Sequence, residues 1–446
     1  MDTINGNVPV LVRETLEKCI AELDQVKQLY LVDPEKDFTR NRLITFTGFV
    51  KCCIQMEGSA LQNELLKYYN FDELTPSKSA FIQQRAKVIP EAFEYLFSMF
   101  TQKISSLLTL KTLNGYRVLA IDGTDINIPY NPLDWESFQE KKDQKGYNQL
   151  HLNALHDVLN GFYVDAVLAP DKKTHERAAF IRMIDRNFVA VPAIYMADRG
   201  YEGWNVFAHL IESRQKFVIR LKDDDSNGIL STFKFGYDEN HEFDQYIETT
   251  LTWRQTNEVK DDREHYKYIP RQNFDFFSES SDQYTIRLRI ICIEIAPGKY
   301  EYLATNLDES EFALSDFKDL YHLRWTEETS FRNLKYTIGL LSFHCRKANY
   351  VRQEIWSGLI LMNFCEVIAR SVVISQDARS KRGRKHEYLV NFSTAVCICR
   401  NFLKSQQHPI DVVKLISRFI IPVRPGRSFE RKVKAQSARL FIYRAA

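Results

Sequence analysis

The sequence predicts an α/β protein, with a mixed sheet flanked by helices and broken by a β-rich insertion. An all-helical segment precedes this core and a basic region follows it. Three observations carry the prediction. Apolar residues recur at helical spacing over residues 10–110; from Arg117 apolar strand-like runs alternate with helical patterns; and residues 222–308 lose helical periodicity while keeping several alternating runs. With 446 residues, 44% of them hydrophobic, the chain has ample material for about three structural units. The boundaries fall at 1–112 (helical), 113–221 (first part of the core), 222–308 (β-rich insertion), 309–376 (second part of the core, with a Glu-bearing helix) and 377–446 (basic, helical).

In the first region helices are expected at Val10–Leu31, Thr39–Glu57, Leu61–Tyr69 and Ser77–Leu110, the last broken at Pro90. Ser77, after Thr75 and Pro76, suits an N-cap. The polar face that follows, with Lys78, Arg85 and Lys87, suits DNA or plain solvent equally.

Near Arg117 the texture becomes a buried strand, Val118 to Ile121, interrupted by Asp122. A carboxylate inside an apolar strand costs several kcal/mol unless it is paired or binds a cation, so Asp122 is a candidate ligand; the other reading is an Asp that ends the strand in a turn with Gly123. Asp125 competes, but on a continuing strand it points to the opposite face. Strands at Asn148–Val158 and Gly161–Ala169, a helix at His175–Asn187 and a short strand ending at Asp198 follow. Strand, hairpin and crossover helix in this order are what a ribonuclease H-like sheet requires. Asp198 reads either as a cap for the next helix or as a ligand at the C-terminal end of a strand, where α/β sheets gather them.

The most informative stretch runs from Leu320 to Ile338, a helix with no Pro or Gly before Gly339. At roughly 100° per residue, Tyr321, Arg324, Glu328 and Lys335 share one arc with Trp325 beside them, while Leu320, Leu323, Phe331, Leu334 and Ile338 fill a neighbouring apolar arc. Such a stripe faces a cleft or, with Arg324 and Glu328 four apart, a solvated salt-bridged surface. Glu327 falls in the apolar arc.

The spacing Y-x2-R-x3-E-x6-K, with Trp325 after the Arg, resembles the YREK signature of the cut-and-paste DDE transposases of bacterial insertion sequences, the insertion sequence four group. Asp-Gly-Thr at 122–124 and Ala-Asp-Arg-Gly-Tyr at 197–201 match that family's two upstream motifs, and Arg-Pro-Gly-Arg at 424–427 its ending. The resemblance, over about residues 75–440, implies a ribonuclease H-like core with Asp122, Asp198 and Glu328 as catalytic residues and metal ligands. Hard oxygen donors without His or Cys at metal spacing suit Mg²⁺, or Mn²⁺, and the mechanism implied uses two ions. It implies phosphate or DNA contacts from Tyr321, Arg324, Trp325 and Lys335, double-stranded DNA as partner at both transposon ends and target, and a homodimer on DNA. The relatives usually carry an apolar residue at the position of Glu327, and some use a Trp of the insertion for base stacking, a role Trp253 could take only in place of a core one. Alternatives are a ribonuclease H-like nuclease without strand transfer and a domesticated, inactive DNA-binding transposase.

Charge supports a polyanionic partner. Residues 377–446 hold 16 Lys and Arg against 4 acids, whereas residues 1–376 hold 44 against 54. Arg424, Arg427, Arg431, Lys432 and Lys434 are the expected phosphate contacts of the tail. The eight cysteines include no C-x2-C pair, which fits reduced thiols; with no secretory leader and no run of eighteen apolar residues, a cytoplasmic, nucleoid-associated protein without membrane contact is expected.

Overall fold

The computed structural model describes residues 8–40, 42–141, 144–170, 176–186, 188–189, 191–238, 241–372, 388–404, 411–422 and 442–443. The five tail cations from Arg424 to Lys434 lie outside the described residues, as does the basic loop at 381–385.

The helical segment forms as its apolar spacing dictates. In α1 (Val8–Gln25), Val12, Leu16, Cys19, Ile20 and Leu23 share one buried stripe. Thr45 caps α2 (Phe46–Gln55) by accepting the Gly48 N–H at 3.0 Å, so that helix starts well after the expected Thr39. After α3 (Leu61–Tyr68), Ser77 caps α4 (Lys78–Arg85) through the Ala80 N–H at 3.2 Å, as expected, and Pro90 separates it from α5 (Glu91–Leu107).

Among the described residues ten strands form one sheet. They are β1 (Arg117–Ile128), β2 (Phe138–Lys141), β3 (Gln144–Asp157), β4 (Phe162–Pro170), β5 (Ala193–Ala197), β6 (Lys216–Arg220), β7 (Phe243–Thr252), β8 (Tyr266–Tyr268), β9 (Gln283–Ala296) and β10 (Lys299–Thr305). Their order is β2-β3-β1-β5-β6-β10-β9-β7-β8, with β4 also on β3. β1, β5 and β6 run parallel, and β3 runs antiparallel to β1. The crossover helix α6 (Glu176–Arg186) precedes β5, and α7 (Trp204–Glu212) links β5 to β6. The strands after residue 222 continue the same sheet through the β6–β10 pairing and do not form a separate one. They carry one short helix, α8 (Asn257–Asp261).

Both faces are covered. Val118, Ala120, Ile194, Met196 and Val218 face one core, with Phe317, Leu320 and Tyr321. Leu119, Ile121, Tyr195, Phe217 and Ile219 face the other and larger one. That larger core is filled by α11 (Ala348–Ser371), buried along most of its length. Inside α11, Asn363 accepts the Tyr163 N–H and donates to the Tyr163 carbonyl, both at 2.8 Å, and also donates to Thr101 on α5. Arg85, 1% exposed, donates to Gln353, Glu354 and the Tyr350 carbonyl, joining the helical segment to the same helix. All eight cysteines are free, and no described helix is long and apolar enough to cross a membrane.

Candidate active site

Strand register brings the two aspartates together. β1 does not turn at Gly123 but runs on to Ile128, pairing Asp122 with Ala154. Side chains alternate, so Asp122 projects on the face of Val118 and Ala120, and Asp198 on that of Ile194 and Met196. Ala120 lies beside Met196 on the neighbouring parallel strand. Two residues on, at the strand ends, Asp122 therefore comes beside Asp198. One Asp198 oxygen accepts the Gly200 N–H at 2.7 Å and so caps the tight turn Arg199–Tyr201, not the helix expected to follow, α7, which starts later at Trp204.

The expected single helix from Leu320 is in fact three segments. α9 (Asp316–His322) passes into α10 (Trp325–Arg332) through i→i−3 hydrogen bonds from Leu323, Arg324, Thr326 and Glu327, and residues Asn333–Ile338 widen into a π-turn ending at Gly339. Tight turns bring residues three apart into line, so Tyr321, Arg324 and Glu327 share a face and are buried at 3%, 5% and 0% exposure. Glu328 is displaced toward the rim, where its side chain keeps 36% exposure. Uniform 100° spacing misses this because the helix is overwound at one end and underwound at the other.

Each polar side chain then has a distinct setting. The Tyr321 hydroxyl reaches the Ala197 carbonyl at 3.4 Å, so this side chain clamps the helix against the strand end that carries Asp198. The Arg324 guanidinium lies over the Tyr321 and Trp325 rings and 3.8 Å from a Glu328 oxygen, and its Nε has no partner. Trp325 is 44% exposed. Lys335, in the π-turn, is half-buried; burial lowers its pKa against the pull of Asp125 and Asp122. Ser330 donates to the Tyr163 hydroxyl at 2.9 Å, which ties α10 through Tyr163 to Asn363.

The electrostatics report on crowding. Burial first, then the negative charges of Asp198 and Glu328, push Asp122 up to about 6 against the Gly123 N–H and Arg324. Glu327 is pushed well above the carboxylate range by burial and by Asp122, and neither of its oxygens has a hydrogen-bond partner. Among the described residues no three His, Cys, Asp or Glu side chains stand at metal-ligand spacing, so Asp122, Asp198 and Glu328 are electrostatic neighbours rather than a closed cage. The donor set still fits a hard divalent cation: it is oxygen only, and the repulsion raising Asp122 is what a cation would relieve.

On the opposite face of β1 stands a group the sequence reading missed. His151 faces Asp125 across the β1–β3 ladder, with Nδ1 2.8 Å from Asp125 and Nε2 3.5 Å from Glu176, the first residue of α6. Burial would lower its pKa, but the two carboxylates outweigh burial and raise it to about 9. The available signal was a His at the register position opposite an Asp. Trp253 is partly buried against the core, with Arg254 and Arg271 near its ring.

Residues 113–364 match the family model described as Transposase DDE domain. The chain belongs to that family. The match spans more than half of the chain and contains Asp122, Asp198 and the segment from Tyr321 to Lys335. No curated protein matches the chain. Among solved structures it is similar to a piggyBac transposase in a synaptic complex with hairpin DNA, at 9% identity and a TM-score of 0.44, over 96% of this chain and 88% of that one. A mixed α/β architecture, a large mixed sheet covered by helices, is the frame on which this DDE-family site stands.

Proposed function

We propose that the chain is a cut-and-paste transposase of the insertion sequence four type, cleaving double-stranded DNA at the terminal repeats of its element and joining the ends to a target. The observation that carries this reading is the register that puts Asp122 beside Asp198, with Glu328 close enough to perturb Asp122. The strand order β4-β3-β1-β5-β6, with β3 antiparallel, supports a ribonuclease H-like core, and the spacing of Tyr321, Arg324, Glu328 and Lys335 supports the YREK group.

Asp122, Asp198 and Glu328 would hold the cations. When bound, two Mg²⁺ or Mn²⁺ ions supply Lewis-acid stabilisation of the attacking and leaving oxygens in an in-line phosphoryl displacement. Arg324, with Nε unspent, donates to the phosphate at the cut, and Lys335 offsets negative charge beside it. Tyr321 positions the helix through Ala197 rather than meeting DNA itself. Trp325 offers an exposed ring for an unstacked base. The tail cations Arg424, Arg427, Arg431, Lys432 and Lys434 add affinity independent of sequence, and a homodimer holds the two ends together.

Incubation with a labelled candidate transposon end and Mg²⁺ tests the reading. The wild type should nick, and Asp122→Asn, Asp198→Asn and Glu328→Gln should each abolish cleavage while DNA binding in EDTA stays within a few-fold. Because the three act as a unit, a double variant should be hardly worse than a single one. Retained cleavage in any of the three removes that residue from the site.

A further inference from the structure

Beside Asp198 the protein carries a cleft of about 1140 Å³ whose charge the catalytic carboxylates do not explain. Its walls come from the first turns of α6, from Arg199, Gly200 and the start of α7, from residues 222–232, and from the stretch that runs from α8 through β8 to Asn273. Six cations line it: Arg177, Arg199, Lys222, Lys260, Arg263 and Lys267. Glu202 is the one acid in the lining, and its oxygens are spent on the Lys222 and Ile229 N–H groups at 2.8 and 2.6 Å. Among the described residues, none of the six cations lies within ion-pair distance of a carboxylate.

Five of the six, Arg177, Arg199, Lys222, Lys260 and Arg263, are solvent-exposed, and Lys267 is half-buried. Six cations converging on one cavity, with a single acid in its lining, give it a strongly positive surface that suits a polyanion. Lys267 makes the case most directly. Its ammonium sits 4.1 Å over the Phe233 ring and donates to Thr232 and to the Arg263 carbonyl, which are neutral groups. Burial draws its pKa down to about 8 against the nearby charges of Glu264 and Asp262, and a bound anion would add to their pull.

The counter-charge is extended. The cations arise from four separate stretches, at Arg177, Arg199, Lys222 and residues 260–267, and the cavity exceeds the 300–1,000 Å³ or so that holds one drug-sized molecule. Trp204, Tyr266 and Tyr268 stand among the cations, the pairing of charge and ring that accommodates a nucleic-acid strand. Arg199 and Gly200 follow Asp198 directly, so the cleft opens from the proposed point of cutting.

We infer that this cleft binds the sugar-phosphate backbone of the DNA strand running on from the scissile phosphate, by charge and without reading sequence. The inference rests on the DNA-cleavage reading above and adds to it a second phosphate-binding surface, separate from the Arg324–Lys335 stripe and from the C-terminal tail.

The test replaces three cations remote from the carboxylates, Lys260→Gln, Arg263→Gln and Lys267→Gln together, and measures binding of duplex oligonucleotides in EDTA from 50 to 200 mM salt. At about 0.9 per phosphate contact the salt slope should fall by up to roughly 2.7, so the wild type's affinity advantage should shrink roughly 40-fold across that range, equally for unrelated sequences. The melting temperature should be unchanged or higher, because unmatched like charges are being removed. Lys222→Gln with Arg177→Gln, on the opposite wall, should repeat the effect, and Asp198→Asn should keep the wild-type slope. An unchanged slope in a wild type and variant that both cleave DNA overturns the cleft assignment and leaves the transposase reading standing. A wild type that neither binds nor cleaves DNA overturns both. A large fall in melting temperature shows that the cations have internal partners and also overturns the assignment.

Discussion

Glu327→Gln separates the two adjacent acids of the catalytic helix. Glu327 is fully buried, its oxygens have no partners, and burial together with Asp122 holds its carboxyl well above the usual range. Both causes favour its neutral form, and an amide of the same shape should replace it. The sign of the pH effect follows from proton counting. Above about 4.5 an unfolded chain has released this proton while the folded protein keeps it, so stability falls as pH rises, by about 1.4 kcal/mol per pH unit, until the folded carboxyl itself titrates. Gln carries no such proton, so between pH 5.5 and 6.5 the stability gap should move by about 1.4 kcal/mol in favour of the variant. Urea unfolding at the two pH values, in EDTA so that no cation competes, reads this gap, and cleavage at pH 7 with Mg²⁺ should survive. Parallel pH dependences would mean that Glu327 is ionised in the folded protein. Dead Glu327→Gln beside active Glu328→Gln would move the ligand by one residue and refute the assignment.

Three other variants probe the surroundings. Trp325→Ala should spare first-strand nicking more than later steps that need an unstacked base, losing about 1–3 kcal/mol of stacking; equal loss of both in a gel assay would make the exposed ring a packing residue. His151→Gln should be less stable than wild type at pH 6 by less than about 1 kcal/mol, since Asp125 and Glu176 are solvent-exposed. Its raised pKa means that this advantage is present below about 6.5 and fades as pH rises through about 9, so melting temperatures at pH 6 and 10 should converge; a constant gap rules the pairing out. Arg85→Met should cost about 3–5 kcal/mol in urea unfolding, because Glu354 would stay buried without its main partner, and a loss under about 1 kcal/mol would show that the helical segment is held by apolar packing alone.

Much of the site was legible because strands alternate strictly. An apolar run broken by Asp122, and a short apolar strand ending at Asp198, locate two carboxylates whatever the rest of the chain does. Their meeting was less legible, since it depends on the Ala120–Met196 pairing between strands more than seventy positions apart. Helix periodicity served well where the helix is regular, as in α1, and failed at Leu323–Glu327, where i→i−3 bonds rotate the downstream residues. Tyr321 reads in the sequence as part of a stripe that faces a cleft or solvent, and in the fold it is a buried clamp. The continuous ten-stranded sheet was hidden for a similar reason, because alternation in β7, β9 and β10 identifies strands without naming their neighbours. His151 and Glu176 escaped because their significance is relational: each is ordinary until the ladder sets one opposite Asp125 and α6 brings the other above it.

The deformation of the catalytic helix and the polar groups left unpaired there have a common cause. A regular helix would put Glu328 in line with Tyr321 and Arg324 and turn Glu327 into the apolar core. The tight turn instead stacks Glu327 under Arg324, which leaves the Arg324 guanidinium, with its Nε unspent, between one buried acid and one at the rim. Buried donors without partners cost about 1–3 kcal/mol each, so a folded protein retains such an arrangement where a ligand repays it. On the proposed reading a phosphate would take the guanidinium and a cation the carboxylates of Asp122, Asp198 and Glu328, so that one substrate, a phosphodiester with divalent ions, would satisfy both.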